Sequence, residues 1–205
     1  MIVAVAVVAA MAQAAYSPAA GVLHNMEAVN ASVKSYEVRC HFDASVRTFI
    51  TLPLALDATY YFKQPDHAQL VFDSVPTLAK RFQDFYASTG TPATWPKSYW
   101  VSLQPQAASD LSGMLVLRLI PKKQSNLEYV LMTVDPKNYG VVGQQWMYKD
   151  GSSINVTQSN EIGASYVLPK QETADFNFPR YKAHVVADFG EYQINAPVDD
   201  SVFTK

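Results

Sequence analysis

The chain has 205 residues, a formal net charge of -2 at pH 7 and a single cysteine, Cys40. A chain of this length most simply forms one domain and buries a core without disulfide or metal staples, so no cofactor or metal is expected. The charge balance, with no run of Lys or Arg to follow a phosphate backbone, excludes a nucleic-acid partner on electrostatic grounds.

The first fourteen residues predict a secretory signal peptide. Residues 2–12 are apolar, and Ala12-Gln13-Ala14 follows as an A-x-A cleavage site. This apolar run is too short to span a bilayer, which takes roughly 20 residues. We therefore expect an exported, periplasmic or otherwise extracytoplasmic protein that is soluble once the signal is removed, with residues 15–205 as a single domain. A buried N-terminal helix is the alternative interpretation.

The mature chain begins with a predicted helix. Val22, Met26, Val29 and Val33 recur at the spacing of one apolar helical face. The helix is expected to fade near Ser32, where the pattern changes to strict alternation.

Three alternating strands follow the predicted helix. Their period of two is typical of an antiparallel sheet with one face in the core and one in water. The second and third strands flank Gln64-Pro65-Asp66, which predicts a turn because Pro does not fit a central strand. The apolar face comprises Tyr36, Val38, Cys40, Phe42, Leu54, Leu56, Ala58, Tyr60, Phe62, Ala68, Leu70 and Phe72.

A second helical pattern interrupts the strands at residues 77–88. Leu78, Phe82, Phe85 and Tyr86 fall on one face. One interpretation is a lid over an apolar cavity, and the other is a helix packed permanently on the sheet. Residues 89–100 are predicted to be a loop, whose aromatic side chains Trp95, Tyr99 and Trp100 belong either to the same rim or to the core.

The second half of the chain predicts further strands of one long antiparallel meander. Two of them, at residues 114–120 and 129–134, are apolar on both faces. Such strands need cover on each side or a sheet that curls around a cavity. The strand-like stretches are residues 114–123, 127–136, 143–151, 152–158, 183–190 and 191–195.

Catalytic motifs are not evident in the sequence. His41 and Asp43 lie on the same face of one strand, about 7 Å apart. Together with Arg39 they are the basis for one alternative, an enzyme acting on a lipid or glycan. The other interpretation is a solvated polar face.

The order of these segments resembles the LolA/LolB superfamily of bacterial lipoprotein carriers. Residues 22–42 are similar to its first helix and strand, and residues 58–72 to its strand, Lys-x-Pro corner and strand. The resemblance extends over roughly residues 22–204. It implies an α+β fold in which a curved antiparallel half-barrel is covered by an N-terminal helix and by a helical lid inserted after the third strand.

The resemblance also implies a hydrophobic cavity for acyl chains and a latch for the lid. In the best-known carriers, the residue before the corner proline is an Arg that helps to hold the lid. Here that residue is Gln64, which keeps hydrogen-bond donors but lacks the charge and the bidentate fork. Gln64 is therefore the candidate lid or latch residue.

The expected function is a non-enzymatic, monomeric carrier of an acyl chain, a lipid or the lipid moiety of a lipoprotein. A membrane protein would be its donor or acceptor. Apolar burial would supply the affinity, at about 0.8 kcal/mol per buried CH₂. The alternative is an envelope protein-interaction or stress-sensor domain with a vestigial cavity. The candidate cavity residues are Val38, Cys40, Phe42, Leu56, Tyr60, Phe62, Leu70 and Phe72, with Phe82 and Phe85 from the lid.

Overall fold

A computed structural model describes residues 17–74, 90–105 and 113–204. The helices are α1 (Pro18–Ala28), the short α2 (Trp95–Ser98) and a C-terminal 3-10 helix (Asp200–Thr204). The strands are β1 (Ser35–Arg47), β2 (Thr51–Lys63), β3 (His67–Phe72), β4 (Tyr99–Leu103), β5 (Leu115–Pro121), β6 (Leu127–Val134), β7 (Val141–Tyr148), β8 (Ser153–Ile162), β9 (Val167–Phe178), β10 (Tyr181–Phe189) and β11 (Gln193–Ile194).

The described strands form one antiparallel sheet of eleven strands. The order is β3-β2-β1-β10-β9-β8-β7-β6-β5-β4, with β11 beside one end of β1. Strands β3 and β4 end this path without pairing to each other, so the sheet is open. The predicted α+β half-barrel is confirmed.

The sheet is strongly curved. Strands β2 and β6 lie six places apart in the strand order, which in a flat sheet would separate them by roughly 29 Å at ~4.8 Å per strand. Nevertheless Tyr60 of β2 and Met132 of β6 line the same cavity. The sheet therefore curls around a cavity on its concave face, as the strands that are apolar on both faces predicted.

Strand order is more complex than one long meander. The last long strand, β10, pairs with β1 in a register that runs from Cys40–Phe189 to Arg47–Lys182. Two strands were also missed, because β4 begins inside the predicted loop and β9 was not identified. Pro and charged residues occupy the start of β9, and a register shift opposite Ser159 and Asn160 interrupts its alternation.

Helix α1 ends at Ala28, earlier than its apolar spacing predicted. Its buried side chains include Val22 and Met26, while Val33 is buried in the turn that follows. The Asn30 side chain donates to the Val167 carbonyl at 3.2 Å and accepts from the Val167 amide at 2.9 Å. This side-chain pairing with β9 competes with further helical hydrogen bonds.

Two predicted segments lie outside the described residues. They are the signal peptide at residues 1–14 and the helix at residues 77–88 that contains Phe82 and Phe85. Within the ranges that the structure describes, no helix is both long enough and apolar enough to cross a membrane.

Leu117 and Ile120 test which face of β5 supports the fold. Leu117 is completely buried, whereas Ile120 on the opposite face is 40% exposed. Leu117→Ala is expected to lower the free energy of unfolding by about 2–5 kcal/mol because it leaves a cavity. Ile120→Ala should cost less than about 1 kcal/mol. Urea titration measures both values, and equal losses would contradict this assignment of the faces.

Candidate ligand-binding cavity

A cavity of about 550 Å³ lies against the concave face of the sheet. It extends between the end of α1, the aromatic side of β1 and β2, and the facing strands β6 to β9. Its volume falls within the range of roughly 300–1,000 Å³ found for small-molecule and cofactor pockets. The cavity is therefore large enough for one small ligand.

One wall of the cavity is built from stacked aromatic rings. Tyr36 stacks on Phe62 with ring centroids 5.1 Å apart and on Tyr60 at 6.0 Å. The Tyr192 ring meets Tyr36 edge-on at 5.3 Å, and its hydroxyl donates to the Pro169 carbonyl at 2.6 Å. The Tyr36 contacts with Tyr60 and Phe62 arise because β1 and β2 put their alternate residues on the same face, while Tyr192 packs behind Tyr36 from the segment between β10 and β11. They hold the wall rigid, since aromatic pairs favour offset-stacked and edge-on arrangements.

The opposite wall is mainly aliphatic. Alternating positions of four neighbouring strands supply it, one from each of β6, β7, β8 and β9. Such side chains offer a ligand apolar contact without a directional requirement. The residues are Met132, Val141, Val156 and Leu168.

A small polar group interrupts the apolar lining. Gln144 and Gln158 face the cavity, and Glu172 lies beside them with 7% of its surface exposed. Gln144 accepts a hydrogen bond from the Trp146 indole at 3.3 Å, and Gln158 donates to Asn160 at 2.6 Å. The side-chain amides are thus held in place, which is typical of sites that orient one end of an otherwise apolar ligand.

The buried phenols of the aromatic wall stay neutral. Burial raises the pKa of Tyr36 and Tyr60 well above the ordinary value for tyrosine, and the charges of nearby groups, Glu172 among them, raise it further. The pKa of Tyr192 is raised for the same reasons. The phenol groups can therefore donate hydrogen bonds at any physiological pH.

The mouth of the cavity lies at one end of the sheet. The turn at residues 64–66, the end of α1 and the segment at residues 90–93 border it. Thr91 donates to the Pro65 carbonyl at 3.2 Å, which joins two of these segments. Lys34 donates through Nζ to Gln64 Oε1 at 3.4 Å, and the backbone N–H of Gln64 donates to the Lys34 carbonyl at 2.8 Å.

The sequence-predicted site residues divide into three groups. Tyr60, Phe62 and Gln64 line the cavity. Phe82 and Phe85 lie outside the described residues, so the bond that would make Gln64 a latch stays a prediction, and the observed partner of Gln64 is Lys34. The remaining six are buried in the core on the same face, beside the cavity and not among its lining residues: Val38, Cys40, Phe42, Leu56, Leu70 and Phe72.

Sequence reasoning missed the contribution of the second half of the chain to this cavity. Glu172 was overlooked because the charged start of β9 looks like a loop. The period-two recurrence of Ala174 and Phe176 after Glu172 was the signal that could have found it. Trp95, left open between rim and core, is buried and lines the cavity, whereas Trp100 is exposed.

His41 makes its contacts on the solvated face of β1. Its Nδ1 lies 2.8 Å from Asp57 Oδ1 on β2, and its Nε2 lies 3.6 Å from Asp43 Oδ1. Arg39 forms a two-point ion pair with Asp73 on the same face, at 2.7 and 3.0 Å. Among the described residues no group of three or more His, Cys, Asp or Glu side chains is arranged to hold a metal ion.

The fold is similar to that of several solved proteins. A DUF1329 family protein from Desulfovibrio piger superposes with a TM-score of 0.64 and 12% identity, covering 92% of this chain and 98% of that one. A LolA superfamily protein from Nitrosomonas europaea superposes with a TM-score of 0.58 and 12% identity, covering 91% of this chain and 97% of that one. A putative outer membrane lipoprotein-sorting protein domain from Vibrio parahaemolyticus superposes with a TM-score of 0.60 and 10% identity, covering 90% of this chain and 97% of that one. No protein-family model and no curated protein matches the sequence. The predicted LolA-like fold is thus confirmed for a chain of very different sequence.

The Cys40 thiol is expected to be inert in the folded protein. It is buried, and burial raises its pKa to about 12, so almost no thiolate forms at neutral pH. A thiol-specific chromogenic reagent should label the protein only after denaturation. Labelling of the folded protein at the rate of free cysteine would contradict this prediction.

His41 is expected to titrate at a higher pH than an unperturbed histidine. The Asp57 hydrogen bond raises its pKa most, and the charge of Asp43 adds to the effect. The interaction of protonated His41 with these carboxylates should contribute fully to the free energy of unfolding below the unfolded-state pKa of about 6.5. This contribution should disappear as the pH rises through the folded-state pKa. NMR titration should show that Asp57→Asn lowers the pKa of His41 more than Asp43→Asn does. The reverse order would contradict the geometry.

Proposed function

We propose that this protein is a non-enzymatic carrier that holds an acyl chain, a lipid or the lipid moiety of a lipoprotein in its concave cavity. The observation that carries the proposal is the 550 Å³ space between an aromatic and an aliphatic wall. The shared fold with a LolA superfamily protein and with a lipoprotein-sorting domain supports it.

The composition of the lining favours an amphiphile. Each methylene removed from water contributes about 0.8 kcal/mol, so a medium-length chain against Met132 and Val156 offsets the cost of ordering it. The polar group of Gln144, Gln158 and Glu172 would meet an ester, amide or hydroxyl at one end of the ligand. Such a group would orient the ligand without requiring a charge on it.

The location of the polar chemistry supports binding without catalysis. His41, Asp43 and Arg39, the residues of the enzymatic alternative, lie on the solvated side of the sheet, away from the lining. A ligand inside the cavity would not reach them through the sheet. We therefore infer that the ligand leaves the cavity chemically unchanged.

Carriage implies a site of loading and a site of delivery. We infer that the protein acts outside the cytoplasm and exchanges its ligand with a membrane-protein donor or acceptor. The mouth bordered by residues 64–66 and 90–93 is the route available to the ligand. Exchange there would involve Lys34 and Gln64, neighbours at the ends of β1 and β2 that contact each other beside the mouth.

Lipid analysis of the purified protein tests the carrier proposal. The full chain is expressed in a Gram-negative host, purified without detergent, extracted and examined by mass spectrometry. Ala68→Trp places an indole in the cavity, since Ala68 lines it. We expect about one lipid per molecule of unaltered protein. Ala68→Trp should weaken lipid binding at least tenfold, which corresponds to about 1.4 kcal/mol of binding free energy. Ala55→Trp, on the solvated side of β2, is the matched control.

Failure of this test would have a defined meaning. Lipid-free protein that also does not bind an apolar fluorescent probe would reject carriage. The result would favour the alternative, a protein-interaction or stress-sensor domain whose cavity is vestigial. Equal loss in Ala55→Trp and Ala68→Trp would indicate damage to the fold and would remove the cavity as the explanation for any bound lipid.

A further inference from the structure

The hairpin between β1 and β2 ends in exposed apolar side chains. Phe49 is fully exposed, at 105% of its reference surface, and Ile50 is 62% exposed. The Thr48 amide donates to the Ile50 carbonyl at 3.0 Å, so the turn is hydrogen-bonded. Leaving an aromatic and a branched aliphatic residue in water at a protruding tip costs free energy, which points to a surface that covers them.

Cationic side chains are concentrated at the end of the sheet that carries this tip. Because alternate turns of an antiparallel sheet lie at the same end, the turns at residues 48–50, 122–126, 149–152 and 179–180 share one end, called here the hairpin end. Arg47 pairs in register with Lys182, which places two cations directly behind the tip. The cations of the hairpin end include Arg47, Lys122, Lys123, Lys149, Arg180 and Lys182.

The cations of the hairpin end lack carboxylate partners. None of the six forms a salt bridge among the residues that the structure describes. Lys122 and Lys149 donate to backbone carbonyls instead, at 2.6 and 2.8 Å. Glu128 and Asp150 are the carboxylates on the same turns and strand ends within the described ranges. The end of the sheet that carries the apolar tip therefore has more cations than carboxylates among the described residues.

The mouth end of the sheet has the opposite character. Two of its cations are paired with carboxylates, Lys63 with Asp200 and Lys170 with Glu161, whereas Lys34 and Lys137 form no salt bridge among the described residues. Asp66 and Asp135 add negative charge there. The chain as a whole has a net charge of -2, so the excess of cations at the hairpin end is a local segregation and not a consequence of composition.

We propose that the hairpin end docks the protein on an anionic lipid bilayer, with Phe49 and Ile50 inserted at the headgroup level. Aromatic and aliphatic side chains insert into the interface, while Lys and Arg next to them are attracted by anionic headgroups. Trp100, which is 66% exposed with Lys122 Nζ 4.5 Å above its ring, repeats this combination at the β4 edge. Tryptophan favours the same interfacial depth.

Docking by the hairpin end orients the cavity. The mouth lies at the opposite end of the strands, so it faces away from the bilayer to which the protein is bound. The protein would therefore hold its ligand at the membrane surface while presenting the mouth to a second macromolecule. The hairpin end is a different surface from the cavity, so the docking proposal can be tested independently of the carrier proposal.

Co-sedimentation with vesicles tests the docking proposal. The purified full-length protein is mixed with vesicles of phosphatidylcholine alone or of equal parts phosphatidylglycerol and phosphatidylcholine. We expect binding to the anionic vesicles and its loss at about 0.5 M NaCl, where exposed charges are screened. The double change Phe49→Ser and Ile50→Ser should weaken binding about tenfold or more. Arg180→Glu with Lys182→Glu should weaken it about thirtyfold.

Matched controls are available at the mouth end. Ile162 is 62% exposed, the same fraction as Ile50, so Ile162→Ser at the opposite end is matched to the single change Ile50→Ser, which is measured beside the double variant. Lys137→Glu reverses an exposed charge there. Both variants should bind anionic vesicles like the unaltered protein. Equal weakening by control and test variants, or equal binding to uncharged vesicles, would overturn the proposal.

A protein partner is the competing occupant of the hairpin end. Absence of vesicle binding, combined with salt-sensitive capture of polyglutamate that Arg180→Glu abolishes, would reject the bilayer and assign the surface to an acidic polypeptide. Thermal unfolding of each variant shows whether it is folded. The substituted side chains are exposed, so the melting temperatures should change little.

Discussion

The alternation of side chains along β1 is the constraint on which the rest of the structure depends. This strand has 13 residues and is paired on both edges, with β2 over its whole length and with β10 over its second half. A shift of one residue would move its entire apolar set, from Tyr36 to Val46, into water. Because β1 fixes the register of β2 and β10, it determines which face of the whole sheet is concave and where the aromatic wall of the cavity lies.

The sequence predicted the part of the fold in which alternation is uninterrupted. Strands β1 to β3 and their shared apolar face follow from local periodicity, and the turn at Pro65 follows because Pro does not fit a central strand. The placement of β10 beside β1 does not, since it joins residues such as Phe42 and Ala187 that are far apart in the chain. Strand β9 was obscured by Lys170, which the register shift leaves without a cross-strand partner. The residues that β9 contributes to the cavity were therefore not predicted: Val167, Leu168, Pro169 and Glu172.

The same limitation explains why the candidate site was only partly predicted. Apolar residues on the concave face serve either as core or as lining, and one-dimensional spacing does not distinguish the two. Phe72 and Phe62 belong to the same periodic face, yet Phe72 is core and Phe62 borders the cavity. The polar residues were the more specific indication. Glu172, Gln144 and Gln158 interrupt the apolar periodicity, and all three line the cavity.

The topology separates the cavity mouth from the charged tip of the hairpin. In an antiparallel sheet, successive turns alternate between the two ends, so residues 64–66 and residues 48–50 must lie at opposite ends of β2. A change at Phe49 therefore leaves the lining untouched, and a change at Ala68 leaves the tip untouched. Ligand binding and surface attachment can be adjusted independently in such a molecule. The one element they share is β2, with Tyr60 near its mouth end and Leu52 near the tip, so a rigid β2 would keep the mouth at a fixed height above any surface that the tip contacts.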